Sequence, residues 1–219
     1  MSEKVNKNIK QATKREKSVE DEDYIPESVF ARIKSFWLFN RPSIRQVPYI
    51  QDLELEAAIL YLIPGLVLAF GVFIGLIANT QIDPLDLIIV PLQTFTIELI
   101  AILAFLIVLF IFMKIILPGF PNESHARPKM VVISFSYVYI TKIILSSGFV
   151  ISLLFSNTSS AGSAVGILFI SFYAFSVYFV VVSAFSIKSL TGIGLVNSLI
   201  GGFALFFSLF ILRIISFFL

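Results

Sequence analysis

Two side chains stand where ionisable chemistry is least expected, Glu98 and Lys142. Each lies inside a long apolar run, Glu98 within Leu87–Leu117 and Lys142 within Met130–Phe155. Counted from the ends of those runs, both are roughly 16 Å deep at ~1.5 Å per helical residue, close to the middle of a ~30 Å hydrocarbon core. An ionisable group at that depth is costly and marks a functional site by default. Three roles fit: a polar site or proton path, an ion pair that fixes two helices to each other, or a side chain that snorkels toward the interface. Charge and depth do not choose among them. Arg213, near the end of the last apolar run, has a stem long enough to reach the interface and reads as an anchor.

Most other site chemistry is excluded by residue type. The chain has no cysteine, so disulfides, thiolate metal sites and cysteine nucleophiles are out. Its one histidine, His125, sits in a polar stretch and cannot make a two-imidazole site. The sequence contains no HExxH, no GxSxG elbow, no Walker loop and no pair of intramembrane aspartates. No enzymatic activity, cofactor, metal or nucleic-acid partner is therefore expected. The sequons Asn157-Thr158-Ser159 and Asn122-Glu123-Ser124 fall in predicted outer and inner loops, respectively.

The elements that would position Glu98 and Lys142 follow from composition. The chain is 58% hydrophobic and 14% charged, against about a quarter charged in soluble domains. Its mean hydropathy is +0.95. The charge is concentrated before Glu56. Residues 1–26 carry a basic block (Lys4 to Lys17) and an acidic block (Glu20 to Asp23), which predicts a disordered cytosolic tail able to touch anionic lipid. That polar start has no apolar signal region, so the first hydrophobic segment is expected to direct insertion.

Residues 27–56 form an amphipathic juxtamembrane segment. Val29, Phe30, Ile33, Phe36 and Trp37 share one helical face, with Arg32, Lys34 and Ser35 off it, Ser28 as N-cap and Asn40-Arg41-Pro42 as the stop. Such a helix either lies in the membrane interface or packs on the bundle.

Residues 57–219 read as five spans: Ala57–Ala78, Leu87–Leu117, Met130–Phe155, Ala164–Phe185 and Gly194–Phe218. Lys and Arg occur in the N-terminal region, in the loop Pro118–Lys129 and around Lys188, whereas Asn79–Asp86 and Ser156–Ser163 have none. By the positive-inside rule the N-terminus is cytosolic and the C-terminus outside or lumenal. Small residues recur every four positions, Gly71 and Gly75 in the first span and Gly194, Ser198 and Gly202 in the fifth. They predict close helix packing, within the bundle or in a homo-oligomer.

The layout resembles the Yip1 family of five-span membrane proteins over roughly residues 36–219. The similarity rests on Phe39-Asn40-Arg41-Pro42 followed by Ile50 and the acidic run into the first span. It rests also on Pro128-Lys129-Met130 with Ser134-Phe135-Ser136-Tyr137, and on Ser186-Ile187-Lys188-Ser189-Leu190-Thr191-Gly192 before a small-residue span. The family's Asp-Leu-Tyr-Gly-Pro-type and Tyr-Gly-Tyr-type signatures are not present, which points to a divergent or prokaryotic-type member. The resemblance implies a cytosolic N-terminus, no enzymatic activity, and association with itself or a membrane-protein partner. In eukaryotic members it implies membrane trafficking with prenylated Rab GTPases; no Rab site is carried onto any residue here. The membrane would be the plasma membrane in a prokaryote and the ER or Golgi in a eukaryote. The expectation is thus an all-α polytopic bundle with a scaffold function. A small transporter or channel component using Glu98 and Lys142 is the alternative.

Overall fold

The structure is a computed structural model that describes residues 28–47, 50, 52–77, 83–116, 128–156 and 161–218. The 1–26 tail, His125 and both sequons lie outside the described residues, as do the side chains of Lys114, Lys129 and Arg213. The described residues are helical: α1 Val29–Trp37, α2 Arg41–Gln46, α3 Glu54–Ile77, α4 Asp86–Ile116, α5 Pro128–Tyr139, a 3₁₀ turn Ile140–Lys142, α6 Ile143–Ser156, α7 Ala161–Thr191 and α8 Leu195–Phe218.

Four segments are long and apolar enough to cross a membrane: Glu54–Ile77, Asp86–Phe112, Val131–Phe155 and Gly162–Thr191. The third joins α5, the 3₁₀ turn and α6. The described part of α8, Leu195–Phe210, is a shorter apolar helix. Many large apolar side chains face outward, Ile88, Leu103, Ile107 and Ile170 among them. A soluble protein would hide them; in hydrocarbon they face their proper solvent.

The long helices close into a ring. α3 packs on α4, α4 on α8, α8 on α7, α7 on α6, and α6 back on α3. Contacts between α5 and each of α3, α4 and α7 fill one end. Rings fill the interior at that end: Tyr139 lies 5.2 Å from Tyr61 and 5.2 Å from Phe105, and Phe105 reaches Phe179 at 6.2 Å. These separations suit tilted and edge-on aromatic pairs.

Two segment boundaries differ from the sequence expectation. α3 starts at Glu54, which places Glu54 and Glu56 in its first turn, where acids oppose the positive helix end. The stretch read as the last loop, from Ser186, instead continues α7 to Thr191. Ser and Lys do not stop a helix; Gly192 does, with φ +73° and its N–H donating to the Lys188 carbonyl at 2.9 Å.

What the juxtamembrane helix buries against the bundle is not its apolar face alone. Ser28 caps α1, its hydroxyl accepting from the Ala31 N–H at 3.1 Å. The residues that α1 buries are Arg32, Ser35 and Phe36, the first two of which lie off the apolar face. Phe30 is 76% exposed and Val29 42%. The reason is local: Arg32 finds a carboxylate, and Ser35 returns its hydroxyl to the Ala31 carbonyl at 2.9 Å, so neither enters the interior unsatisfied.

Beyond α1 the chain turns on Phe39, whose φ of +57° is costly for a non-glycine residue. The Asn40 N–H bonds back to the Ser35 carbonyl at 2.8 Å, and the Phe39 ring packs 5.2 Å from Phe185; these contacts hold the turn.

Candidate functional site

Two polar clusters, one buried and one part-buried, share the third span. The deeper one is Glu98 with Lys142. Lys142 Nζ donates to Glu98 Oε2, and the side chains of Lys142 and Glu98 are 3% and 1% exposed. Nζ also lies 3.3 Å from the Tyr139 hydroxyl. The 3₁₀ turn explains that placement, because residues three apart eclipse one another in this helix type. On the other side, Gly65 of α3 lets Glu98 pack close: a Cβ there would stand 3.1 Å from the Glu98 Cβ. The pair is neutral overall and closely surrounded, and removing either partner would strand a charge in a low dielectric.

The second cluster went unread in the sequence. Arg32 donates from Nε to Glu56 Oε1 at 3.0 Å and from Nη2 to Oε2 at 2.5 Å. Tyr137 donates its hydroxyl to the same carboxylate and lies 3.1 Å from Arg32 Nε. The hydrogen bond to Glu56 raises the Arg32 pKa further above its already high value, against the opposing pull of burial. Phe36 stacks on the Tyr137 ring at 5.1 Å. Two more bonds tie the segment down: the Tyr178 hydroxyl to the Trp37 carbonyl at 2.6 Å, and Arg45 Nε to the Ser189 carbonyl at 3.0 Å near the end of α7. The only sequence signal was an acid, Glu56, at the threshold of the first span with an arginine on the helix before it.

The predicted packing residues separate. A Cβ on Gly71 would come within 2.9 Å of the Val150 Cβ and overlap its methyls, so α3 and α6 approach closely there. Gly75 has ordinary room beside Leu153. Gly202 faces α7, where a Cβ would lie 2.8 Å from the Val180 carbonyl oxygen, and Ser198 is fully buried. Gly194 is exposed, precedes α8 and meets nothing within 4 Å. Gly148, unremarked in the sequence, abuts Ser171 between α6 and α7.

Two cavities adjoin these clusters. One of about 860 Å³ is a groove between α1 and α3, lined by Phe30, Ile33, Trp37, Leu55, Ile59 and Ile143, with Lys34, Asp52 and Glu56 also lining it. The other, of about 420 Å³, is a half-open space between the long helices with Lys142 in its lining. Among the described residues no three His, Cys, Asp or Glu side chains gather as metal ligands.

This geometry defines an all-helical, multi-pass integral membrane bundle. No family model, curated protein or solved structure matches the chain.

Proposed function

We propose that the protein is a non-enzymatic, five-span membrane scaffold that organises its membrane by association with a membrane-protein partner or a second copy, as the resemblance to Yip1 proteins implies. In this reading α8 is the fifth span, the N-terminal region is cytosolic, and the C-terminus is outside or lumenal. α1 lies at the interface, with Phe36 toward the bundle and Phe30 toward lipid.

The observation that carries the reading is the mutual neutralisation of Lys142 and Glu98. A proton path needs a group that can change its charge during a cycle, and a channel needs a wetted polar lining. Here the two deep charges hold each other, and Tyr61, Phe105 and Phe179 pack the interior toward α1. A transporter role for the same pair is the competing reading, favoured by the Lys142 side chain lining a cavity.

The association is tested by crosslinking. Because the native chain lacks cysteine, a single cysteine at an outward residue such as Ile107 reports on its neighbours alone. In native membranes the scaffold reading expects one discrete adduct, a second copy or one defined membrane protein. A smear no different from that of an unrelated bundle would contradict it.

A further inference from the structure

We infer that the half-open 420 Å³ cavity between the long helices is a binding site for a neutral amphiphile, with an apolar body and a small hydrogen-bonding head such as an alcohol. This goes beyond the scaffold reading and does not depend on it.

Its walls come from every long helix, with Leu68 of α3, Thr94 of α4, Leu145, Ser146 and Phe149 of α6, Leu168 of α7 and Phe210 of α8 among them. All of these lie in the half of the bundle remote from α1. Lys142 lines the cavity as well, and its position toward α1 makes the deep ion pair one end of the space. Phe169 is 70% exposed, so that part of the wall also reaches the lipid side.

Neighbouring helices meet tightly beside it, α3 on α6 at Gly71 and Val150, α6 on α7 at Gly148 and Ser171. These contacts fix the separation of the helices, and a volume of about 420 Å³ lies between them. Small-molecule sites run from ~300 to ~1,000 Å³, apolar with a few convergent polar groups. An apolar cavity of ~150 Å³ already takes up a benzene, so this one accommodates a chain or ring system of nearly three times that bulk. Such an apolar lining disfavours water as the occupant.

The polar end selects the head group. Lys142 and Glu98 together carry no net charge. A carboxylate placed beside them would add an uncompensated charge in low dielectric, at a cost of several kcal/mol. A hydroxyl adds none, and it can bond to the Ser146 hydroxyl or the edge of the ion pair. The chemistry therefore favours a neutral head over an anionic one.

The test uses the full-length protein in phosphatidylcholine nanodiscs and a diazirine-bearing fatty alcohol as probe. Labelling should saturate, map by mass spectrometry to the inward residues Leu68, Leu145 and Phe149, and be displaced at least tenfold better by hexadecanol than by palmitate or hexadecane. Leu168→Trp, which fills the cavity, should reduce labelling at least tenfold. Ser146→Ala, a milder change that keeps the fold, should weaken hexadecanol competition several-fold while leaving hexadecane unchanged. Labelling that never saturates, or that falls only on lipid-facing residues such as Ile170, would overturn the site. Palmitate or hexadecane competing as well as hexadecanol would overturn the neutral-head assignment, as would an unaltered Ser146→Ala.

Discussion

Arg32 and Glu56 are joined at two points, with Nε 3.0 Å from Oε1 and Nη2 2.5 Å from Oε2, and this fork pins α1 to the first turn of α3. Tyr137 completes it from the third span. The juxtamembrane helix is thus bonded to the end of the bundle.

Arg32→Ala should destabilise the fold by about 2 kcal/mol, because the part-buried Glu56 loses its charge-assisted hydrogen bonds. Arg32→Lys should recover only part, since an ammonium cannot make the forked contact. Thermal unfolding of the purified protein in one detergent checks both. The raised Arg32 pKa adds a sign: the arginine's contribution is complete below its ordinary, already high pKa and is lost only as pH rises through the still higher folded value. Alkaline titration from about pH 7 to 10 should therefore leave the docking of α1, read by hydrogen exchange, unchanged.

Tyr178→Phe removes the bond to the Trp37 carbonyl and should cost about 1 kcal/mol. The loss should be local. Hydrogen exchange in α1 should quicken while the centres of α3 and α6 keep their protection; uniform quickening would mean that Tyr178 supports the whole bundle instead.

Gly202→Ala and Gly194→Ala are a matched pair from one sequence stripe with opposite expectations. The first drives a methyl to 2.8 Å from the Val180 carbonyl oxygen and should cost ~1–3 kcal/mol. The second meets nothing within 4 Å and should stay within about 0.5 kcal/mol of wild type. Unfolding midpoints of the two variants, measured side by side, decide it.

The sequence displayed some of this and concealed the rest for physical reasons. Glu98 and Lys142 were legible because a charge in an apolar run has few places to go. The Arg32–Glu56–Tyr137 cluster was not, because Arg32 stands among other juxtamembrane charges and only the tertiary fold brings a span-three tyrosine to it. Helical spacing linked Gly194 with Gly202, but spacing assumes a helix, and α8 begins only at Leu195. Ser186–Thr191 looked like a loop because polar residues gather there, although nothing in it breaks a helix before Gly192. The 3₁₀ turn at Ile140–Lys142 follows no local breaker and was not foreseeable from Gly or Pro.

The central claim is that Glu98 and Lys142 hold the bundle together and do not move a solute. Proton and potassium flux into liposomes reconstituted with equal amounts of wild type and Glu98→Gln tests it most directly. The account predicts no protein-dependent flux from either, with Glu98→Gln differing only in a lower unfolding temperature. Flux carried by the wild type and abolished in Glu98→Gln, at unchanged protein yield and fold, would contradict it.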